Sequence, residues 1–183
     1  MNIDDIITQL RANCPFFGSR VAGAANYAEG IASGTSWMDP PAAYVVPLDD
    51  EAGENEALNG LRQELTERIG VVVNWAAVDR RGQAPVAALA IARAQIFGAL
   101  LNWKPAGANA ARGIAYAGGA MLDFDRARLF YQFDFSLQTL ITDADGWQWP
   151  SGPLLEIDAT TTLPDTVLAG SPAPQIDIVL PQP

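Results

Sequence analysis

The side chains that most often perform catalysis or bind metals are scarce in this sequence. Its 183 residues include no histidine and a single cysteine, Cys14. Without histidine, neither a Ser-His-Asp triad nor a Cys-His pair can form within one chain. One cysteine excludes an intramolecular disulfide and leaves a Cys/His zinc site without ligands. We therefore interpret Cys14 as a small apolar core residue and expect no metal and no cofactor.

Acidic residues are the remaining candidates for chemistry. Asp143-Ala-Asp145-Gly146 and Asp123-Phe-Asp125 resemble fragments of cation-binding loops, but the further oxygen ligands of a calcium loop do not follow at the right spacing. Aspartate and glycine are also the residues that turns need. Among 21 acidic residues nothing marks a catalytic pair. We predict that the protein is not an enzyme, with an acid-pair hydrolase as the less favoured alternative.

The sequence predicts two helices. Residues 3–12 place Ile3, Ile6, Ile7 and Leu10 on one face, and Cys14-Pro15 ends this helix. Residues 85–101 form the second helix, which begins at a proline. We leave open whether residues 21–32 form a helix or a strand.

Two long segments alternate between apolar and polar side chains and are therefore predicted to be strands. They are Leu65–Ala77 and Leu129–Ile141, and their pattern indicates a sheet with one face that is wet or meets another molecule. Shorter strands are expected at 43–48 and 114–122. Residues 49–60, which directly follow the first of these short strands, contain five acids and two glycines, and this composition predicts an exposed acidic loop.

The composition changes after residue 149, because seven of the 13 prolines fall within residues 150–183. We expect an α+β domain over residues 1–149, a mainly antiparallel sheet with two long strands packed by two helices, followed by a proline-rich extended C-terminal arm over 150–183. The alternative, a tail packed on its own domain, remains open. Trp147 and Trp149 have two interpretations. They either form an exposed apolar patch that binds a protein partner, or they pack into the core or anchor the C-terminal arm.

Charge is divided unevenly along the chain, whose net charge is -10. Residues 1–79 carry -8, residues 80–128 carry +5 and residues 129–183 carry -7. Such blocks would suit a contact between different faces of two copies, and an acidic protein is poorly suited to gripping DNA. The N-terminus lacks the basic start of a signal peptide, and Arg93 and Gln95 interrupt the most apolar helix. We expect synthesis in the cytoplasm and no membrane insertion.

Several stretches of the sequence resemble the phage tail terminator family. They are Ile3-Asp-Asp-Ile-Ile-Thr-Gln-Leu-Arg, Cys14-Pro-Phe-Phe, Arg20-Val-Ala-Gly-Ala-Ala, Ala43-Tyr-Val-Val-Pro-Leu and Gln63-Glu-Leu-Thr-Glu-Arg-Ile-Gly-Val-Val-Val. The order of the predicted elements also fits, and the resemblance covers about residues 1–142.

This resemblance implies a structural virion protein of the tail or neck with no chemistry of its own. Members would form a homohexameric ring on the tail-tube protein, stop tube polymerisation and offer a docking surface to a head-completion or neck protein, while DNA passes through the centre. On this basis we expect subunit contacts or channel-facing positions at nine charged residues: Asp49, Asp50, Glu51, Glu54, Glu56, Arg62, Arg68, Arg80 and Arg81. The arginines would pair with acids of a neighbouring subunit.

Other interpretations remain possible from the sequence alone. The chain could be another head–tail joining protein or a tail-tube protein, and a tube protein would polymerise into long tubes by itself. A non-viral adaptor would use the C-terminal arm for strand addition to a partner.

Overall fold

A computed structural model describes residues 1–34, 37–76, 83–124 and 128–148. It contains three α-helices: α1 (Ile3–Asn13), α2 (Ala24–Ser33) and α3 (Gln83–Leu100). Five strands complete the fold: β1 (Val21–Gly23), β2 (Ala42–Asn55), β3 (Arg62–Ala76), β4 (Ala115–Phe124) and β5 (Arg128–Thr142). Short 3₁₀ helices cover Pro15–Phe17 and Asp143–Asp145. The predicted α+β class is confirmed.

The strands form one sheet in the order β1-β2-β3-β5-β4. Only β1 pairs in parallel, with β2; the other neighbours are antiparallel. The two predicted long strands, β3 and β5, lie side by side and pair without interruption from Arg62↔Thr142 to Ala76↔Arg128. Their alternating sequences therefore place matching side chains on each face of the sheet centre.

The first face of the sheet carries the main core. Helices α1 and α3 cover it, and their buried side chains Ile6, Leu10 and Ile96 pack against Val71 and Phe133 of the long strands. Asn2 caps α1 by accepting the Asp4 amide at 3.0 Å, and the helix ends before Cys14-Pro15, as predicted. Cys14 is buried in this core, which confirms its interpretation as an apolar residue.

The second face carries a smaller cluster of buried side chains. It contains Ala22, Ala42, Tyr44, Val72 and Phe130, with Tyr27 of α2 and Trp37 packed against them. Farther along β5, the polar side chains predicted to line one face are half-buried or exposed on this side of the sheet: Gln132, Asp134, Ser136 and Gln138.

One prediction about the elements needs correction, and one segment that was left open is now assigned. The expected acidic loop over residues 49–60 is wrong for its first part, because β2 continues to Asn55 and pairs with β3 across two register shifts. The acidic side chains suggested a loop, but each lies on an exposed position where a strand tolerates charge. The segment 21–32, which the sequence left open, contains both a short strand and a third helix.

Candidate functional site

The five predicted acidic site residues lie along the outer half of β2 and just beyond it. Asp49, Asp50, Glu51 and Glu54 belong to the strand, and Glu56 follows it. All five side chains are exposed. On the far side of β2, the partner strand β1 pairs only with residues 43–45, so the acidic half lies on an edge of the described sheet. The structure therefore gathers these residues into one acidic edge.

Two predicted arginines lie next to this acidic edge and pair with it inside the same chain. The Arg68 guanidinium donates to Asp49 at 2.9 Å and to Glu51 at 3.0 Å. Arg62 lies 3.3 Å from Glu56. These pairs are solvent-exposed and each contributes about 0–1 kcal/mol to stability. Arg80 and Arg81 lie outside the described residues.

The connection between β2 and β3 ends in an ordered tip. The Asn55 side chain accepts hydrogen bonds from the amides of Ala57 and Arg62 and donates to the Gly60 carbonyl. From the end of β5, Asp143 accepts the Leu61 amide at 2.6 Å. This network fixes the backbone around Leu58, whose side chain is 100% exposed. Single exposed apolar side chains are common on protein surfaces, so Leu58 is available for a contact but does not by itself mark one.

Asp143 and Asp145 accept hydrogen bonds from backbone amides. Asp145 accepts the Thr142 amide at 2.8 Å, closing the short 3₁₀ helix, while Asp143 holds the tip. Their interpretation as turn residues is supported by these contacts. Within the part of the chain that the structure describes, no group of three or more acidic, histidine or cysteine side chains is placed to hold a metal.

A second contact surface, the aromatic cup, lies on the second face of the sheet. It is a cavity of about 90 Å³ lined by Tyr27, Ile31, Trp37, Leu122 and Phe130. The rings of Trp37 and Phe130 lie 4.9 Å apart at its base. At its rim Ile31 is 61% exposed and Leu122 is 44% exposed. The cup is open and apolar. It has room for roughly four carbon atoms, the size of one aliphatic side chain, since a cavity of about 150 Å³ holds the six carbons of benzene.

Unpaired hydrogen-bond donors lie beside the aromatic cup. Asn74 is fully buried; its oxygen accepts the Ala42 amide at 3.1 Å, but its Nδ2 has no hydrogen-bond partner among the described residues. Asn74 is opposite Phe130 in the sheet, and Arg128 lies two residues earlier on the same side of β5. The Nη1 atom of Arg128 is also buried, and no residue in the described part of the chain accepts a hydrogen bond from it. Buried donors of this kind cost free energy until an acceptor meets them.

The positive charge of Arg128 also affects Tyr44, which is buried on the second face of the sheet. Burial raises the pKa of Tyr44, and the Met38 amide and the positive charge of Arg128 partly offset that rise. Arg128 has no ion pair among the described residues. The cup therefore combines apolar walls with an adjacent unpaired cation, which suits an apolar side chain accompanied by a carboxylate.

The single cysteine and the tryptophans are the remaining residues that the sequence singled out. Burial raises the pKa of the Cys14 thiol to about 11, so the reactive thiolate is scarce near neutral pH. Trp75 is buried in the first face, and Trp103 packs against that core. Trp147 is 68% exposed, whereas Trp149 lies outside the described residues. None of the described helices is both long and apolar enough to cross a membrane.

The sequence did not reveal the tip leucine or the aromatic cup. Leu58 is one apolar residue within a polar segment, and the five cup residues come from α2, β4, β5 and the chain before β2. Only the fold brings them together. An isolated leucine flanked by Glu54, Glu56 and Asn59 was the one signal available in the sequence.

Comparisons with known proteins identify a family and similar solved structures. A family model described as "Phage tail terminator protein" matches residues 1–150. The comparison with curated proteins gave no significant match. Among solved structures, a chain of the "Virion of native gene transfer agent (GTA) particle" is 14% identical, with a TM-score of 0.48. That similarity covers 74% of this chain and 91% of the other.

Proposed function

The chain belongs to the phage tail terminator family, so it is a structural protein of a phage tail. From this premise we propose that it caps the tail tube. In this role it ends tube polymerisation and provides the surface on which a head-completion or neck protein docks. The family match carries the proposal, because residues 1–150 include every helix and strand described above. The protein would act by contact alone and would not be an enzyme.

We propose that the working form is a homohexameric ring located at the neck end of the virion tail after synthesis in the host cytoplasm. A ring needs two different complementary surfaces on each subunit. The acidic edge and the aromatic cup are two such unlike surfaces, one charged and one apolar with an unpaired cation. Unlike surfaces of this kind support a head-to-tail ring over a two-fold dimer.

The acidic edge is proposed to face a subunit boundary or the central channel through which DNA passes without specific binding. Its carboxylates, Asp49, Asp50, Glu51, Glu54 and Glu56, would repel the phosphate backbone at close range. Arg62 and Arg68 already pair with acids of their own chain. Pairing with a neighbouring subunit, proposed also for Arg80 and Arg81, would therefore require Arg62 and Arg68 to exchange or share partners.

The proposal is tested by mixing purified protein with tail tubes and imaging the mixture by negative-stain electron microscopy. We expect density capping one end of each tube and no further growth when tube subunits are added. Phage lacking the gene should produce tails of uncontrolled length that do not join heads. Tails of normal length without this protein would contradict the proposal, and long tubes formed by the chain alone would identify it as a tube protein instead.

A further inference from the structure

The ordered tip between β2 and β3 presents an apolar side chain next to acidic ones. Leu58 projects fully into solvent, while the surrounding backbone is fixed by Asn55 and Asp143. The neighbouring carboxylates Glu54 and Glu56 are exposed as well. Because the turn is already ordered, burying Leu58 against a partner would cost little additional conformational entropy. The tip is thus suited to act as an anchor.

The aromatic cup has the complementary chemistry. Its walls of Trp37 and Phe130 are apolar, and its volume of about 90 Å³ suits one aliphatic side chain. The buried Nη1 of Arg128 and Nδ2 of Asn74 lie on the same side of the sheet and lack acceptors. A carboxylate arriving with the apolar side chain would supply a negative charge to Arg128, which is only half-buried, whereas the fully buried Asn74 amide is out of its reach.

The two surfaces lie at opposite ends of the long strands. The tip precedes Arg62, the first residue of β3, whereas Asn74 beside the cup lies twelve residues farther along that strand. At about 3.3 Å per residue the separation is roughly 40 Å. The tip therefore cannot enter the cup of its own chain. A contact between them joins two copies head to tail and leaves one free tip and one free cup for further copies.

We propose that Leu58 of one copy inserts into the aromatic cup of the next copy, with a carboxylate of the same tip approaching Arg128. The occupant of the cup is thus a second copy of this chain. The inference rests on the proposed ring and deepens it, because it names the two surfaces that join neighbouring subunits. It would bury Leu58 and give Arg128 a carboxylate partner that none of the described residues supplies.

Two full-length variants test each half of the contact. Leu58→Asp removes the anchor and Ile31→Asp places a charge at the cup rim; both sites are exposed, so folding should be retained. We expect each variant to weaken self-association, measured by light scattering after size exclusion, by about 30-fold or more. Asn59→Asp beside the anchor and Ile91→Asp on α3, which is 48% exposed, are matched controls expected to assemble like the original chain.

Mixing the two variants gives the decisive measurement. The Ile31→Asp protein keeps an intact tip and the Leu58→Asp protein keeps an intact cup, so one productive contact remains possible between them. We expect the mixture to form a 1:1 complex of roughly 39 kDa, twice the 19.5 kDa chain, although neither variant associates alone. Repeating the mixture with Arg128→Gln in the Leu58→Asp chain should weaken the complex, with circular dichroism confirming that the chain is folded.

Three results would overturn the inference. The first is that the variants assemble like the original chain, and the second is that the mixture of the two monomeric variants forms no complex. The third is that the original chain is still monomeric at about 1 mM, a concentration at which association with a Kd near 1 mM would be visible. The proposed function fails separately. If tubes are capped by variants that assemble normally, the cap stands and this contact is wrong. If the 1:1 complex forms but the original chain ignores tubes, the contact stands and the cap is wrong.

Discussion

Gly60 shows how a single residue maintains the shape of the tip. Its φ of +106° lies in a region that side chains rarely adopt, and an added Cβ would meet the Asp143 carboxylate at 2.6 Å. That carboxylate also holds the Leu61 amide, so a side chain at position 60 would disturb both the turn and its anchor. The requirement for glycine here is therefore both conformational and steric.

A pair of glycine substitutions tests this requirement. We expect Gly60→Ala to lower the free energy of unfolding by about 1–3 kcal/mol because of backbone strain and displacement of Asp143. Gly98→Ala is the matched control: its Cβ would meet nothing within 4 Å on α3, so it should raise stability by about 0.5–1 kcal/mol. Urea denaturation of both variants gives the comparison. Equal effects at the two positions would show that the tip geometry imposes no constraint.

Individual residues varied in how much of their role could be predicted from the sequence. Burial of Cys14 and Trp75 followed from their place in apolar patterns. The buried amide of Asn74 did not, because an asparagine at an even position of an alternating strand is ordinarily assigned to the wet face. Here that face is covered locally by α2 and Trp37. Which stretch of a face is covered depends on tertiary packing, which alternation does not encode.

At the scale of elements, the outer half of β2 brings acidic side chains together along one strand edge. Arg68 of the neighbouring strand lies between Asp49 and Glu51 and reduces their mutual repulsion. Among the described residues, the Arg62 guanidinium pairs with one carboxylate, that of Glu56, at the longer distance of 3.3 Å. The two arginines thus differ in the number of carboxylates that each one neutralises.

The contrast between these arginines predicts different effects of their removal. Arg68→Met should lower the free energy of unfolding by up to about 1 kcal/mol at low ionic strength, and added salt should reduce the loss because the charges are exposed. Arg62→Met should change it by less. Thermal or urea unfolding at two salt concentrations gives both values. A large loss at Arg68 that persists at high salt would mean that packing, and not charge, explains its position.

Most helices and strands could be predicted, and a clear hydrophobic period was the signal for α1, β3 and β5. Helices α1 and α3 and strands β3, β4 and β5 all lie within a few residues of their expected bounds. The extension of β2 was missed, because its acidic residues and Gly53 favour a loop locally. Pairing with β3 provides what the local sequence lacks. The division into a domain and a C-terminal arm over 150–183 stays a prediction, since residues 149–183 lie outside the described part.

For the whole molecule, the net negative charge has a direct consequence for DNA affinity. Twenty-one acids against eleven basic residues give a net charge of -10, and Arg62 and Arg68 are paired with acids of their own chain. DNA affinity depends on several cations that neutralise phosphates together. A ring of such subunits would therefore enclose DNA without retaining it, which is what a passage for the genome requires.

This argument predicts that the full-length protein does not bind DNA. In a mobility-shift experiment with linear duplex DNA we expect no shift, even at about 50 mM salt, where phosphate contacts are strong. Reversing three charges of the acidic edge, Asp49→Lys, Asp50→Lys and Glu51→Lys, changes the net charge from -10 to -4 and creates a local cluster of cations next to Arg68. That variant should bind DNA, with an affinity that falls steeply as salt rises, whereas the matched neutral set Asp49→Asn, Asp50→Asn and Glu51→Gln should bind far less. Tight binding by the original chain would show that it grips DNA in spite of its charge, and the proposed free passage of the genome would then be wrong.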